Sequence, residues 1–277
     1  MISCPTVRKD VIRRHYDVST LFYRLLWGRH IHHGYWEADE SPSVAQEQLT
    51  DRLAAAAGLR RGDRVLDIGC GMGGSSRRLA QRLDCRVTGV TISRFQRRWA
   101  AAAAWRDRVG SRADFLCADA ERVDFDPESA DLVWSVECTE HLFDKPAFFR
   151  RAAEWVRPGG GVAICAWLAG ENLDAAQRRR VEDVCEGFFC PSLGTSSDYQ
   201  GWLADAGLEL TVADDWTRRV DRTWEICRDR VKRFGIHRVA GLVDRGQIVF
   251  LDRFQTILDA YRSGAMAYGC FVARKPA

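Results

Sequence analysis

Short apolar runs alternate with amphipathic stretches from residue 64 to about residue 167. The runs Arg64 to Ile68, Arg86 to Val90, Asp114 to Cys117, Asp131 to Val136 and Gly161 to Trp167 are apolar at successive positions, which predicts strands buried on both faces. Between them, Gly74 to Leu83, Arg94 to Asp107 and Lys145 to about Val156 carry apolar residues at helical spacing. Repeated strand and helix units of this kind predict an α/β fold, a doubly wound parallel sheet with helices on both faces. Ligands of such sheets sit beyond the carboxyl ends of the strands, so the residues that follow each strand are the candidates for function.

The rhythm changes after Trp167. A polar helical stretch runs from Asn172 to Phe189, and Ser196-Ser197-Asp198-Tyr199 reads as a helix start with serine or aspartate as its cap. A strand near Leu208 to Ala213 resumes the sheet, and the last strand covers Ala267 to Ala273. Between these two lies a long insertion, Trp216 to Arg262, whose second half aligns Phe250, Phe254, Ile257, Leu258 and Tyr261 on one helical stripe. That stripe reads first as packing against the domain and second as a pocket wall. The expected division is an N-terminal helical part (1–60), a core of alternating strands and helices (61–170), and the rest of the sheet with a helical insertion at about 216–262 (171–277). With 277 residues, 46% of them hydrophobic, these parts suit a single domain.

Chemistry enters at Val65-Leu66-Asp67-Ile68-Gly69-Cys70-Gly71-Met72-Gly73-Gly74, a strand that runs into a turn made largely of glycine. Such a turn lets a ligand approach the main chain closely, and the following helix offers unpaired N–H groups. The spacing Gly69-x-Gly71-x-x-Gly74 also satisfies the dinucleotide fingerprint. A dinucleotide site, however, has an acid at the end of its second strand, and here Cys85-Arg86-Val87-Thr88-Gly89-Val90-Thr91 ends in threonine. The carboxylate is instead Asp67, ahead of the glycines, where it can face a cation. S-adenosylmethionine carries an ammonium and a sulfonium and is the predicted cofactor, with S-adenosylhomocysteine as product. The alternative is a tight turn that holds no ligand.

Composition narrows the setting. The net charge is +3, and Lys9, Lys145, Lys232 and Lys275 are the only lysines among 41 basic residues. The arginines are dispersed among acids, the isoelectric point of 8.4 is modest, and no RNA-binding module or Asn/Asp-Pro-Pro-Tyr motif occurs, which argues against a nucleic-acid partner. Of the ten cysteines, Cys70, Cys117, Cys138 and Cys165 fall in or beside apolar strands and none form a CxxC pair, so buried thiols in a reducing cytoplasm are expected. Arg8, Lys9, Asp10, Arg13 and Arg14 lead into no hydrophobic segment, and no apolar run approaches the ~18 residues of a membrane span. His30, His32 and His33 lack a cysteine or acid at supporting spacing, so no metal is predicted. The expected partner is a small-molecule substrate, and a homo-oligomer is allowed.

From about Arg14 to its end the chain resembles the class I S-adenosylmethionine-dependent methyltransferases. It is similar to the small-molecule group that includes tocopherol and sterol side-chain methyltransferases, sugar O-methyltransferases and, more distantly, cyclopropane fatty-acid synthases. The shared segments are His15-Tyr16-Asp17, His32-His33-Gly34-Tyr35-Trp36, the glycine turn, Thr91-Ile92-Ser93-x-x-Gln96, Glu137-x-x-Glu140-His141 and Tyr268 to Lys275. The resemblance implies a seven-stranded sheet whose last strand is antiparallel, closed over by N-terminal helices and the late insertion. It also implies roles. Thr91, Ile92 and Gln96 stand where the ribose-binding acid would be, Asp119 accepts from the adenine amino group, and Tyr16 and the His32 region cap the methionine end. The full set expected to touch the cofactor is Tyr16, His32, Asp67, Gly69, Cys70, Gly71, Gly73, Thr91, Ile92, Gln96, Asp119, Ala120, Val136 and Glu137. Asp119 could instead cap the turn into Glu121, and Thr91 and Gln96 are also ordinary loop residues.

Methyl transfer from a sulfonium is an in-line displacement that needs alignment, exclusion of water and a proton acceptor. Glu140 and His141, just past the fourth strand, are the catalytic candidates; helix capping near Leu142 is their other reading. His141 suits an oxygen or nitrogen nucleophile, whereas Glu140 suits an alkene carbon, whose methylation leaves a carbocation. The preferred expectation is C-methylation of an isoprenoid or aromatic carbon in a natural product. N- or O-methylation of an alkaloid, phenol or sugar is the alternative, and an RNA-modifying enzyme or a non-catalytic cofactor sensor are distant ones. Trp36, Trp134, Trp167 and Trp216 could offer indole faces to a cation. The basic run Arg218, Arg219, Arg222, Arg228, Arg230, Lys232 and Arg233 reads as a solvated, salt-linked face, with a substrate carboxylate or diphosphate as the other reading.

Overall fold

Val65, Leu66, Asp67 and Ile68 are all buried at the centre of the sheet, because helices cover both faces of this strand. In a computed structural model, residues 1–234 and 245–277 are described, without the side chains of residues 22, 25, 26, 234 and 245–252. In chain order the strands are β1 (Ile2–Ser3), β2 (Arg64–Ile68), β3 (Arg86–Thr91), β4 (Ala113–Cys117), β5 (Ala130–Val136), β6 (Val156–Ala169), β7 (Ser192–Leu193), β8 (Glu209–Asp215) and β9 (Met266–Arg274). The helices are α1 (Lys9–Leu26), α2 (Pro42–Ala56), α3 (Gly74–Leu83), α4 (Arg94–Arg106), α5 (Lys145–Trp155), α6 (Ala175–Gly187), α7 (Ser196–Asp205), α8 (Thr217–Val220), α9 (Arg222–Phe234) and α10 (Arg245–Arg262). A single 3-10 turn, Thr139–His141, follows β5.

The main sheet has seven strands in the order β4-β3-β2-β5-β6-β9-β8. Strands β2 to β6 are parallel, and β9 runs antiparallel between β6 and β8, as the resemblance implies. The order in which successive strands are laid down reverses between the parallel neighbours β2 and β5, whose carboxyl ends therefore flank a crevice. Every strand and helix expected between residues 64 and 167 is present. One boundary moves: β6 starts at Val156, not Gly161, since Val156 already pairs with Ala130 before the register shifts beside Leu132. The Arg157 to Gly160 segment joins the strand through an irregularity in which Gly159 takes φ +71°.

Other particulars differ from the sequence reading. The cap of α7 is Thr195, whose hydroxyl accepts from Asp198 N while the Asp198 side chain accepts from Thr195 N. Ile2 and Ser3 pair with Leu193 and Ser192, a two-residue contact too short to leave a pattern. Cys117 is exposed, because β4 is an edge strand; the ten cysteines are all free. In the insertion, Phe254, Ile257, Leu258 and Tyr261 are buried in the main core, as packing requires, whereas the Phe250 side chain lies outside the described residues. Among the described residues no helix is long and apolar enough to cross a membrane.

Candidate active site

The carboxyl ends of β2, β3, β4 and β5 open into a cavity of about 960 Å³, a volume that includes the solvent space at its mouth. Its floor is the glycine turn. Gly69 N and Cys70 N both donate to Val90 O at 2.9 Å, which fixes the turn against β3. Gly69 and Gly71 take φ of +86° and +52° and line the cavity, as does Cys70. Gly73, expected to touch the cofactor, does not line it. Its φ of +72° starts α3, and its missing Cβ leaves room for Phe115 and Ala100 on the far side.

Asp67 is 2% exposed and accepts from the Ser76 hydroxyl at 2.5 Å; burial raises its carboxyl to about 7. A cation brought beside it would favour the carboxylate. Along the next strand end, the Thr91 hydroxyl donates to Gln96 Oε1 at 2.7 Å, and Gln96 Nε2 is buried with no partner among the described residues. Both residues line the cavity with Ile92, so the orphaned amide is a donor held ready for a ligand. Asp119 does two things at once: Oδ1 accepts from Glu121 N at 3.0 Å, and Oδ2 accepts from Lys9 Nζ at 2.8 Å. Against the effect of its partial burial, Lys9 holds the Asp119 carboxyl below its ordinary range. His32, Ala120, Val136 and Glu137 also face the cavity. His32 Nδ1 meets His33 O at 2.7 Å and its Nε2 meets Ser75 Oγ at 3.2 Å. An acid for the cationic methionine end, an unpaired donor beside Thr91, and an acid at the other end fit S-adenosylmethionine.

A second cavity of about 440 Å³ adjoins the first, and Tyr16, Ile31, Glu137 and His141 line both. His141 stands on this seam. Its Nδ1 is 3.1 Å from Phe189 O, so that nitrogen carries the proton, and its Nε2 lone pair accepts from the Tyr16 hydroxyl at 2.8 Å. Burial lowers the imidazole to about 4, which leaves it neutral at physiological pH. Glu140 lines only the second cavity. Its Oε1 accepts from Trp167 N at 2.5 Å, its Oε2 is buried and unpartnered among the described residues, and burial raises the carboxyl to about 8. Glu137, at φ +52°, accepts through Oε1 from His33 N, from the His33 ring and from the Tyr268 hydroxyl, each at 2.8 Å. Burial alone would raise its carboxyl, yet His33 keeps it below the ordinary value.

The walls of the second cavity are aromatic: Tyr23, Trp27, Trp167, Phe188 and Trp224. Trp224 of α9 packs edge-on against Trp27 at 5.7 Å, Trp167 at 5.6 Å and Phe188 at 5.2 Å. Of the four tryptophans raised from the sequence, only Trp167 is part of this wall. Trp134 is fully buried inside the sheet beside Asp67, Trp36 lies under the Arg222 guanidinium, and Trp216 packs on Tyr35. Trp27 and Trp224 were not singled out; a buried stripe with Cys227 and Val231 on α9 was the available signal. Lys9, which lines the first cavity and bridges Asp119 and Glu121, was likewise missed.

The basic run is salt-linked at its start. Arg222 bonds Asp39 and Ala38 O from above Trp36, and Arg228 bonds Asp229 and Gln255; none of the run lines either large cavity. Among the described residues no group of three or more His, Cys, Asp or Glu side chains is arranged to hold a metal. His30 and His32 bond each other at 2.9 Å instead.

Comparison with known proteins fits this geometry. A family model described as "Mycolic acid cyclopropane synthetase" matches residues 5–257. The 27-O-demethylrifamycin SV methyltransferase of Amycolatopsis mediterranei (strain S699) is 35% identical, aligned over 96% of this chain and 97% of the relative. The chloroplastic tocopherol O-methyltransferase of Arabidopsis thaliana is 28% identical over 99% of this chain and 84% of its own length. The crystal structure of the cyclase SpnF superposes with a TM-score of 0.87 and covers 100% of both chains at 23% identity, which speaks for the fold alone. With the family model spanning nearly the whole chain and a methyltransferase aligned end to end, the chain belongs to the mycolic acid cyclopropane synthetase family and is an S-adenosylmethionine-dependent methyltransferase.

Proposed function

We propose that this enzyme methylates a hydroxyl oxygen of a small, largely apolar acceptor, with His141 as the general base. The observation that carries this reading is the neutral His141 ring at the seam of the two cavities, oriented by Phe189 O with its lone pair toward Tyr16. Bound at Asp67, Thr91, Gln96 and Asp119, S-adenosylmethionine would supply the electrophilic methyl group. The chain's own work is then to exclude water, align the acceptor and take one proton at His141 Nε2.

A carbon acceptor was the first expectation, with Glu140 stabilising and deprotonating the cation. Burial argues against that role, because a carboxyl raised to about 8 is largely the neutral acid at pH 7. The aromatic wall suits an apolar ring system as well as a cation, and it favours neither atom. The two relatives named above act, by name, on 27-O-demethylrifamycin SV and on the oxygen of tocopherol, which supports a hydroxylated apolar acceptor. Ten free cysteines, most of them buried, support a reducing compartment and hence the cytoplasm.

The test is a panel of phenolic and hydroxylated apolar acceptors incubated with isotopically labelled methyl donor. Label recovered on oxygen supports the reading, and label recovered on carbon overturns it.

A further inference from the structure

We propose that Glu140 recognises the acceptor: its Oε2 carries a hydrogen and donates it to a second oxygen of the substrate, so the acceptor is an apolar molecule bearing both the hydroxyl that is methylated and a carbonyl. The inference rests on the proposed function, with the acceptor taken to lie in the second, aromatic cavity, and it adds what that cavity requires of its occupant.

Glu140 sits one residue from His141 on the same 3-10 turn, and both line the aromatic cavity. Only 2% of its surface is exposed. Oε1 is used by Trp167 N, which fixes the carboxyl plane, while Oε2 has no partner among the described residues. A buried polar atom without a partner destabilises the fold, and such an atom at a cavity wall points to a ligand that completes it. No neighbour competes for the position. The three N–H groups of buried Lys145 go to Leu142 O, Ser192 O and Ser192 Oγ, and Glu137 already collects donors from His33 and Tyr268.

Protonation decides the sign of the contact. An ionised Oε2 would repel a carbonyl and attract a hydroxyl; the neutral acid donates to a carbonyl lone pair. Burial pushes this carboxyl to about 8, so the donor form prevails at neutral pH. Glu140 and His141 thus offer opposite hydrogen-bonding partners from adjacent positions, a donor for the carbonyl and an acceptor for the reacting hydroxyl. An apolar ring system between the indole and phenyl faces would present both oxygens along one edge.

The experiment is calorimetric titration of the full chain, saturated with S-adenosylhomocysteine, with hydroxytetralones and with the tetrahydronaphthols that lack only the carbonyl. The phenolic hydroxyl is moved around the ring through 5-hydroxy-, 6-hydroxy- and 7-hydroxy-1-tetralone. At least one hydroxytetralone is expected to bind about tenfold more tightly than its carbonyl-free counterpart, the scale of one buried hydrogen bond. Glu140→Gln, which keeps an acceptor for Trp167 N and a donor amide, should retain that preference to within about threefold, and Glu140→Leu should abolish it. The inference is overturned if the wild-type protein prefers none of the ketones, a comparison that needs no variant to fold, or if the preference survives in Glu140→Leu. Methyl label found on carbon while the ketone preference holds would remove the base assigned to His141 and leave this inference standing. O-methylation without the preference would do the reverse.

Discussion

The Tyr16 hydroxyl donates to Nε2 of His141 across 2.8 Å, and this contact joins helix α1 to the turn after β5. The two rings stand edge to face, 5.5 Å apart at 89°. In the resting enzyme the proposed base is therefore occupied by a phenol, the kind of group an acceptor hydroxyl would replace. Replacing His141 with Gln removes the proton acceptor and should lower kcat by about 10²- to 10⁴-fold, with the dissociation constant for S-adenosylmethionine changed by less than about threefold. Tyr16→Phe only frees the imidazole and should cost about tenfold at most. Because burial holds the imidazole near 4, the wild-type rate should not fall on acidification until the pH is close to that value. Steady-state kinetics from pH 5 to 8 check all three; a His141→Gln enzyme with unchanged kcat would sink the assignment.

Glu140 makes stability depend on pH in a definite direction. Its folded carboxyl titrates at about 8, above the ordinary value of 4.5, so the folded chain keeps a proton that the unfolded chain releases. The stabilising protonation is present at low pH and is lost as pH rises from about 4.5 to about 8. Glu140→Gln has no such term. Asp67, raised to about 7 by burial, titrates in both proteins and cancels in the difference, whereas Lys145, lowered to about 8 by burial and held up in part by Glu140, cancels only in part. The melting temperature of the wild type relative to Glu140→Gln should thus drop by several degrees, of order 5 °C, between pH 5 and pH 8. A difference that stays flat across that range would mean that Glu140 is ionised in the folded protein.

The glycine turn offers a contrast within three residues. An alanine Cβ at Gly69 would collide with Cβ and Sγ of Cys138, and φ there is +86°. At Gly71 the nearest atom to such a Cβ is Ile31 Cδ1 at 3.6 Å, and φ is +52°. Gly71→Ala should therefore cost only left-handed strain, about 1 kcal/mol, while Gly69→Ala adds a core clash and should cost about 3 kcal/mol or more. Urea unfolding midpoints distinguish them. Equal losses would show that Cys138 moves aside freely.

Much of this molecule is legible because its signals are local. Val65 to Gly74 carries a buried strand, an acid and a flexible turn in ten consecutive positions, and the helix spacing of Arg94 to Arg106 needs no partner to be seen. The seam is less legible because its contacts are remote: Tyr16 meets His141 across 125 positions, and Glu137 meets Tyr268 across 131. The segments holding these residues were visible as matches to a family, yet no periodicity says that Trp27 and Trp224 close one cavity or that Gly73 turns its back on the other. Lys145 looked like an ordinary first residue of a helix. It is 1% exposed because Leu142 O and both oxygens of Ser192 satisfy all three of its N–H groups.

Glu137 provides the last prediction, since three donors from two distant parts of the chain converge on one of its oxygens. His33 N and the His33 ring approach from the segment between α1 and α2, and the Tyr268 hydroxyl approaches from β9. The residue itself sits at φ +52°, a conformation that costs a non-glycine residue roughly 1 to 2 kcal/mol, so the surrounding bonds must hold it there. Tyr268→Phe removes one donor and leaves the carboxylate with two, which should cost about 1 kcal/mol. Glu137→Ala strands three buried donors at once and should cost about 3 to 5 kcal/mol, even though alanine tolerates the backbone no better than glutamate does. Glu137→Gln keeps the acceptor oxygen but loses the charge, and it should fall between the two. The same series should weaken S-adenosylmethionine binding in the same order, because Glu137 lines the cofactor cavity and anchors the segment that carries His32. Denaturant titrations give the stabilities and calorimetry gives the affinities. If Glu137→Ala costs no more than Tyr268→Phe, water satisfies the stranded donors and the His33 segment is not held to the sheet through this carboxylate.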